Sequence, residues 1–387
     1  MPTDWHDGAS VACVPVNPPH VAFVLEQTLG HITHTDNLRR LVPRSDAIDA
    51  TFVPIAFEVD GWAARIPGFG NWTVRAGLRA RRAVRKVRSE RPIDAMFVHT
   101  QVPAILMRDV VKRVPTVVSL DATPRQYDEL GDHYGHATGG ARVERLKWRA
   151  NRACFERAAH IVTWAAWTRQ GLIDEYGVAP SKITVVPPGV DVSRWKRTDD
   201  RPDDDERPIR ILFVGGDLAR KGGLLLLDAF RTLRDDPSLP ELELHLVTKT
   251  PVAAEKGLVV HSSMTPNSTE LVELFHRSHI FCLPTLGDCL PMVLSEAGAT
   301  GLPLVSTDVG AISEIVRHGE TGLLVPTNDV GALRTTLATL VCDRDLRRRL
   351  GDRAIEVVAD AFDAEHNAMR LATLLRDVAV QGTSGER

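Results

Sequence analysis

Two carboxylates, Asp288 and Glu296, lie eight positions apart in a segment with almost no other polar side chain. The segment spans residues 287–306 and has the sequence GDCLPMVLSEAGATGLPLVS. An apolar run of strand length precedes it, and Pro291 near one end with Gly301 at the other predicts a helix between them. The sequence therefore places one acid in the loop before a helix and the other more than one turn inside it.

The start of this predicted helix suits an anionic ligand. Partial positive charge collects at helix N-termini, so we expect the backbone amides of Leu290, Met292 and Val293 to bind a phosphate. Glu296 would then accept hydrogen bonds from a vicinal diol such as ribose, and Asp288 would meet a sugar on the other side. A phosphate flanked by hydroxyls on both sides indicates a nucleotide-sugar. The alternative is a surface acid followed by a helix with one outward glutamate, which is the usual setting of isolated carboxylates.

A second stretch, FVGGDLARKGGLLLLDAF at residues 213–230, also predicts an anion site. A strand ends in Gly215 and Gly216, where the missing side chains let the backbone turn sharply and let a ligand approach. Arg220 and Lys221 then stand just before a predicted helix, and two adjacent cations at a helix start suit a diphosphate. The pattern is not a P-loop, since GxxxxGK[ST] does not occur. The alternative is an ordinary strand-to-helix turn with two solvated cations.

Short apolar runs alternate with helix-like stretches along the chain and would position these residues. Such alternation predicts an α/β fold of parallel sheets with helices on both faces. The runs occupy residues 20–26, 94–100, 115–121, 160–165, 210–216, 242–248, 279–284, 303–307 and 322–326. Ligands of such sheets bind beyond the carboxyl ends of the strands, and the candidate residues follow two of these runs.

The acidic, proline-bearing segment 198–208 divides the chain into two halves. It has no apolar residue to bury and predicts a linker. We therefore expect a first, acceptor-binding domain at 1–200 and a second, donor-binding domain at 201–363. Both halves are Rossmann-like and would face each other across a cleft.

Composition narrows the class of function. The chain has 387 residues and a net charge of −3, so bulk charge gives no reason to expect nucleic acid as a partner. The five cysteines form no CxxC pair, which is typical of a reducing compartment. No basic leader begins the chain and no apolar run approaches the roughly 20 residues that span a bilayer. We expect a cytoplasmic protein, soluble or peripheral on the inner face of the membrane.

Five stretches together resemble family 4 of the retaining glycosyltransferases, which have the GT-B fold. The Asp288–Glu296 pair is similar to the family's E-x7-E element. The others are EYGVAPSKITVVPPG (175–189), VVPPGVDVSRW (185–195), FVGGDLARKGG (213–223) and STDVGAISEIVRHGETGLLVP (306–326). They resemble, in order, the helix and strand before the linker, the inter-domain PxGVD element, the phosphate-binding Arg/Lys element, and the strand–helix–turn that follows E-x7-E. The resemblance is close over residues 158–362 and looser before them.

The resemblance implies transfer of a sugar from a UDP- or GDP-linked donor to an acceptor hydroxyl, with the anomeric configuration retained. It implies no metal and no other cofactor. By position, Arg220 and Lys221 would neutralise the diphosphate as charge builds on the leaving group. Glu296 would hold the ribose, and Asp288 with the amides around 290–292 would bind donor sugar hydroxyls. The last helix, near residues 364–380, would cross back onto the first domain.

The chain departs from the family pattern on both sides of the expected cleft. Asp288 stands where glutamate is usual, so the sugar must lie closer or carry different hydroxyls. Pro291 has no N–H, which removes one possible contact. Asp121 follows the strand near 115–121 where the family commonly has a histidine. It would orient the acceptor or a sugar hydroxyl, assist deprotonation, or only cap the next turn. His99, at another strand exit, is a further candidate.

The first strand-to-helix turn holds Gly30, at a position where the family has glycines that let the backbone approach donor and acceptor. His31 and His34 follow in an H-x-x-H spacing that His133 and His136 repeat. A metal site needs further ligands, and no cysteine or carboxylate stands at the usual spacing, so we expect no metal. Polar loop histidines are the plainer interpretation, and contact of His31 with the acceptor is the alternative.

The segment 71–91 holds eight Arg or Lys residues. Its apolar residues fall on one face of a helix. They are Trp72, Ala76, Ala80, Ala83, Val84 and Val87. The plainer interpretation is a helix packed on its sheet with a solvated basic face. The alternative is peripheral contact with anionic lipid, aided by Trp62, Ile66 and Phe69 upstream and suited to a lipid-linked acceptor.

The acceptor is not identified by the sequence, and a sugar, a lipid-linked molecule or a small molecule would each serve. Two other functions stay open beside transfer. One is a nucleotide-sugar-binding protein without transfer activity, which the two aspartates in place of family residues allow. The other is a nucleotide-sugar epimerase, which would need carboxylates or histidines aimed at the sugar ring.

Overall fold

The computed structural model describes residues 17–27, 30–56, 71–131, 139–197 and 208–384. Strands and helices alternate through these ranges. The strands are β1 His20–Gln27, β2 Asp49–Ala56, β3 Ala95–His99, β4 Thr116–Leu120, β5 His160–Thr163, β6 Ile183–Val185, β7 Ile209–Val214, β8 Leu242–Val247, β9 Leu258–His261, β10 Ile280–Leu283, β11 Leu304–Thr307 and β12 Gly322–Val325. The helices are α1 His31–Leu41, α2 Trp72–Glu90, α3 Gln101–Ile105, α4 Arg108–Val111, α5 Pro124–Glu129, α6 Ala141–Arg157, α7 Ala166–Tyr176, α8 Val192–Trp195, α9 Gly223–Arg234, α10 Thr269–His276, α11 Met292–Ala299, α12 Val330–Cys342, α13 Arg344–Ala361 and α14 Ala364–Ser384.

The strands form two separate six-stranded sheets, each entirely parallel. The first sheet has the order β2-β1-β3-β4-β5-β6, and the second has the order β12-β11-β10-β7-β8-β9. Every residue of the central strands β3, β4 and β10 is buried. Helices cover both faces of such sheets, which is why these strands are continuously apolar.

Each sheet has one point at which the strand order reverses. In the first sheet the reversal lies between β1 and β3, whose residues Leu25 and His99 are paired. In the second it lies between β7 and β10, where Ile211 pairs with Ile280. Loops leave in opposite directions at such a point and open a crevice beyond the carboxyl ends of the strands. The two crevices are therefore the places where a ligand of this fold should bind.

The chain passes between the two lobes twice, near Val190 and near residues 362–364, and these two backbone segments are hydrogen-bonded to each other. The amide of Val190 donates to the carbonyl of Phe362, and the amide of Ala364 donates to the carbonyl of Val190, both at 2.9 Å. Gly189 is required at this crossing, because a Cβ there would lie 2.2 Å from the amide nitrogen of Ala364. Helix α14 begins at this point and returns to the first sheet.

The return of α14 completes the core of the first lobe. Its apolar side chains pack with strand residues on one face of the first sheet, among them Phe23 and Phe97. The opposite face is covered by a cluster that includes residues of α2, α3 and α6. The expected crossing of the last helix onto the first domain is confirmed.

All nine strands predicted from apolar runs are present, and β6 is the strand that the resemblance implied before the linker, whereas β2 and β9 were not predicted. These three are edge strands. Their residues are only partly buried, so they lack the continuous apolar run that marks a central strand. The predicted linker 198–208 lies outside the described residues apart from its last position. Among the described helices, none has the combined length and apolar character that crossing a bilayer requires.

Candidate active site

The loop between β7 and α9 holds the two predicted cations in the crevice of the second sheet. Gly222 has a φ of 76°, and a Cβ there would lie 1.8 Å from the carbonyl oxygen of Pro284, so only glycine fits. The amide of Arg220 donates to Asp217 at 3.1 Å, and its carbonyl accepts from the amide of Leu286 at 2.9 Å. The loop after β7 is thereby tied to the loop after β10.

Asp288 lies between the two cations. Its carboxylate forms an ion pair with Lys221, and its Oδ2 lies 3.9 Å from Nη1 of Arg220. The same Nη1 donates to the carbonyl of Gly287 at 2.8 Å. All three charged side chains are only 11–15% exposed, whereas Asp217, 3.6 Å from Arg220, is half exposed. The buried part of the cluster therefore has two cations and one carboxylate, an arrangement that suits an anionic ligand.

Helix α11 begins directly after this loop. Pro291 is its N-cap and offers no side-chain cap, so the amides of Met292 and Val293 have no acceptor within the helix. Glu296 lies one turn further and is partly exposed. Within the described ranges no donor is hydrogen-bonded to its carboxylate. Burial raises the pKa of Glu296 to about 7, which marks it as an acid without the partner that would stabilise its charge.

On the first lobe, Asp121 follows β4 and pairs with His31, the first residue of α1. Nε2 of His31 lies 3.4 Å from Oδ2 of Asp121, and Oδ1 accepts from the amide of Ala122 at 3.0 Å. Burial opposes both charges, but the hydrogen bond and charge of Asp121 raise the pKa of His31. In the same way, burial alone would raise the pKa of Asp121, and His31 lowers it. Each residue therefore favours the charged form of the other.

His99 lies beneath this pair and not at the surface of the cleft. Its ring is fully buried and stacks on Trp164 at 4.9 Å, with the rings 5° from parallel. The edges of His31 and His34 contact the same two rings. Burial and then the charge of His31 lower the pKa of His34 to about 3 and that of His99 well below its usual range. Both inner histidines are therefore neutral and act as packing for His31.

The two lobes meet at this site. Burial raises the pKa of the Cys289 thiol, which lies between Asp288 and the start of α11, and the charges of Asp121 on the first lobe and of Asp288 raise it further. Tyr127 of α5 is close enough to Cys289 and Arg220 for their charges to act on it, and its pKa is raised by burial and then by Cys289. Sequence reasoning missed both residues. Neither follows a strand directly, so only the tertiary structure shows them beside the site.

A second contact between the lobes was also missed. The carboxylate of Glu314, in the second lobe, accepts from the amides of Ala166 and Trp167 at 3.0 and 2.8 Å. These amides begin α7 of the first lobe, whose N-cap Ala165 has no capping side chain. Glu314 therefore caps a helix of the other lobe. The stretch 306–326, noted above for its resemblance to the family, contains Glu314, but a cap that comes from the other lobe leaves no local sequence pattern.

The remaining predicted residues are placed as follows. Gly30 is the N-cap of α1, and a Cβ at Gly30 or Gly216 would meet no atom within 4 Å. At Gly215 a Cβ would lie 3.1 Å from Cβ of Lys221. The Leu290 side chain is buried in the core. His133, His136, Trp62, Ile66 and Phe69 lie outside the described residues. In the part of the chain that is described, no three His, Cys, Asp or Glu side chains converge to hold a metal ion.

Two parallel Rossmann-like sheets with a cleft between them and a returning final helix define the GT-B class of fold. Solved structures agree. The structure of sucrose-phosphate synthase from Thermosynechococcus elongatus matches 94% of this chain and 100% of its own, with a TM-score of 0.72 and 15% identity. Anabaena HepE in complex with UDP-glucose matches 92% of this chain and 99% of its own, with a TM-score of 0.66 and 14% identity.

Sequence comparison defines the family. Residues 43–194 match the family model "Glycosyltransferase Family 4", and residues 208–343 match "Glycosyl transferases group 1". The D-inositol 3-phosphate glycosyltransferase of Corynebacterium glutamicum (strain R) is 30% identical over 243 residues, which cover 56% of this chain and 57% of that protein. The chain belongs to the family 4 glycosyltransferases, so the resemblance drawn from its motifs is confirmed.

Proposed function

We propose that the protein transfers a sugar from a nucleotide-diphosphate sugar to an acceptor hydroxyl with retention of anomeric configuration. The observation that carries this proposal is the buried cluster of Arg220, Lys221 and Asp288 beside the start of α11. The cations would bind the diphosphate together with the amides of Met292 and Val293. Glu296, one turn further along α11, would accept from the ribose. Asp288 would accept from a hydroxyl of the sugar.

The chemistry would use front-face attack. The bond between the anomeric carbon and the phosphate oxygen breaks, and its electron pair goes to the diphosphate. Arg220 and Lys221 stabilise the charge that develops there. The acceptor oxygen bonds to the same face of the sugar, and its proton passes to the departing phosphate oxygen. Asp288 is held by Lys221, which favours a role in binding over one as a covalent nucleophile. No step requires a metal ion.

The donor is a UDP- or GDP-sugar. The likeness to HepE, whose structure holds UDP-glucose, supports a uridine nucleotide as the first candidate to test. The acceptor would bind from the first lobe, where Asp121 and His31 border the cleft. The two alternatives are binding without transfer and epimerisation of the donor sugar. Both share the diphosphate site, so only product analysis separates them from transfer.

The test is release of nucleotide from UDP- and GDP-sugars, with product sugars identified by mass spectrometry and NMR. We expect slow release with water as acceptor and loss of release in Arg220→Ala and Glu296→Gln. Lys256→Ala, an exposed cation of the same lobe, is the matched control and should keep full activity. Tight binding without release would favour the binding protein, and a changed donor sugar would favour the epimerase.

We also propose that the first lobe contacts an anionic membrane surface. Helix α2 buries Ala76, Ala80 and Val84, so most of its cations face outward. Helices α3 and α6 continue the same layer, and Leu78 and Leu146 are 44% and 68% exposed on it. Cations beside exposed leucines suit adsorption to anionic lipid.

Vesicle flotation tests this contact. We expect binding to phosphatidylglycerol vesicles at low salt, loss at high salt, and little binding to phosphatidylcholine. Arg82→Glu with Arg85→Glu should weaken binding, and Arg277→Glu on the second lobe should not. Equal flotation of both variants would remove the proposal.

A further inference from the structure

Both carboxylate oxygens of Glu314 bind the start of α7 on the other lobe. Oε2 accepts from the amide of Ala166 at 3.0 Å, and Oε1 accepts from the amide of Trp167 at 2.8 Å. The N-cap residue Ala165 offers no side-chain acceptor of its own. A carboxylate at a helix start is favoured by the partial positive charge there and by charge-assisted hydrogen bonds. Opening of the cleft would break both bonds.

Apolar packing holds the start of α7 against the same lobe as Glu314. Trp164 and Ala165 lead into α7 from the first lobe, yet both are buried within the hydrophobic core of the second lobe. Trp167 is partly buried and packs against that core. The hydrogen bonds of Glu314 therefore act on a segment that already rests on the second lobe, and they fix its distance from the rest of that lobe.

On the second lobe, the backbone before Glu314 rests on the loop between β10 and α11, here called the donor loop. The amide of Ala311 donates to the carbonyl of Cys289 in this loop at 2.8 Å. Gly310 has a φ of 58°, and a Cβ there would lie 2.3 Å from the carbonyl oxygen of Asp288. The position of Glu314 therefore follows the position of the donor loop.

On the first lobe, α7 holds the loop after β4, which carries Asp121. The hydroxyl of Thr168 donates to the carbonyl of Asp121. The side-chain amide of Gln126, on α5, donates to the carbonyl of Trp167 at 2.9 Å. A continuous series of contacts therefore leads from the donor loop through Glu314 and α7 to the Asp121 loop.

We propose that Glu314 is a positioning residue for transfer, which sets the distance between the donor loop and the Asp121 loop. This inference rests on the proposed function, because the reacting sugar and the hydroxyl or water that attacks it would lie between these loops. Bond formation depends steeply on the separation of the reacting atoms, and a misplacement of about 1 Å can cost about 100-fold in rate. Binding of a free nucleotide would use groups of the second lobe alone and would not depend on this distance.

The experiment separates turnover from nucleotide binding. For Glu314→Ala we expect kcat for nucleotide release from UDP-glucose or GDP-mannose to fall by about tenfold or more. The Kd of free UDP or GDP, measured by calorimetry, should stay at the wild-type value. X-ray scattering of the ligand-free protein should give a larger radius of gyration, because the lobes lose a hydrogen-bonded contact. Glu314→Gln keeps one acceptor oxygen and should give intermediate values. Glu320→Ala, an exposed glutamate of the same lobe, is the matched control and should behave as wild type.

A second variant separates positioning from helix capping. Ala165→Ser places a hydroxyl at the N-cap of α7, where it can accept from the amide of Trp167 or Thr168 within the first lobe. Added to Glu314→Ala, it should recover the lost thermal stability but neither the turnover nor the smaller radius of gyration, because the new cap does not join the lobes. Ala165→Ser alone should retain wild-type turnover.

Two outcomes overturn the inference. Recovery of turnover in the double variant would show that Glu314 acts only as a helix cap, and an unchanged kcat and radius of gyration in Glu314→Ala would show that it positions nothing. If the wild-type protein binds neither UDP nor GDP nor their sugars, the proposed function fails and the role in transfer falls with it. The scattering comparison needs no ligand, so it still shows whether Glu314 holds the lobes together.

Discussion

Replacing Glu296 with glutamine should stabilise the protein above neutral pH in the absence of ligand. Burial raises the pKa of Glu296 from 4.5 to about 7, and each pKa unit corresponds to about 1.4 kcal/mol. The full shift is about 3 kcal/mol, and because the side chain keeps some exposure we expect about 1–3 kcal/mol. The folded protein holds a proton that the unfolded chain releases between pH 4.5 and 7. Stability from this group is therefore lost as the pH rises through that window.

The same group should make nucleotide-sugar binding depend on pH. Ribose hydroxyls donate to the ionised carboxylate and favour it, so binding would lower the pKa and release a proton. The ionised fraction of Glu296 rises from about one tenth at pH 6 to about nine tenths at pH 8, which predicts an affinity gain of about tenfold. UDP-glucose is the suitable probe, because neither phosphate of this diester titrates in the range.

The assays are denaturant unfolding at pH 5 and pH 8, and calorimetry with UDP-glucose in two buffers of different ionisation enthalpy. Glu296→Gln should be more stable than wild type at pH 8 and nearly equal at pH 5. It should also bind UDP-glucose more weakly at pH 8, with no proton release. Glu356→Gln, an exposed glutamate on α13, is the control. Equal stability of wild type and Glu296→Gln at both pH values, with the same pH slope of binding, would refute the assignment.

Three further predictions concern the cluster and its scaffold. Lys221→Ala should reduce turnover by about 10²–10³-fold, as loss of other preorganised charge donors does, and unchanged rates would remove the phosphate role of Lys221. Adding Asp288→Ala to this variant should partly restore UDP binding, measured by calorimetry. Glu314→Ala should lower the free energy of unfolding, measured with denaturant, by about 1 kcal/mol, the usual contribution of a helix cap, while Glu320→Ala nearby should lower it little. Equal losses in the two variants would show that the contact between the lobes is not stabilising. Gly222→Ala should lower the thermal midpoint by about 5 °C or more, since a Cβ would collide with the carbonyl of Pro284, while Gly140→Ala, where a Cβ meets no atom within 4 Å, should change it little.

The sequence was sufficient to predict the central strands and to single out Arg220, Lys221 and Asp288, which the structure brings together. Both depend on local patterns: apolar runs for buried strands, and glycines with adjacent cations or a proline at a helix start. The edge strands β2 and β9 were not predicted, and β6 was implied only by the family resemblance, because partial burial removes the apolar pattern. Contacts across the cleft were not predictable either. Pairs such as His31 with Asp121 and Glu314 with Ala166 lie 90 and 148 positions apart and are brought together only by the tertiary structure.

The basic helix shows the limit of a periodicity argument. The predicted apolar face of α2 is the one that packs on the first sheet, yet Arg75 is buried with it and lies 5.7 Å from the ring centroid of Trp72. Arginine can pack its stem and stack its guanidinium on an aromatic ring, so charge alone did not predict exposure. The sequence could not have distinguished this residue from its outward neighbours.

We infer that the ion pair between Lys221 and Asp288 would link donor binding to sugar recognition. In the structure Lys221 satisfies the buried carboxylate, which would otherwise be costly to leave unpaired. A diphosphate carries more negative charge than the single carboxylate of Asp288 and would attract Lys221 more strongly. Binding of a diphosphate beside Arg220 would therefore draw Lys221 away from Asp288. The carboxylate would then need new donors, and the hydroxyls of the attached sugar are the groups placed to supply them. On this account Asp288 binds sugar only when a diphosphate is present, which predicts that free sugar should not bind the protein and that UDP-glucose should bind more tightly than UDP only while Asp288 is intact.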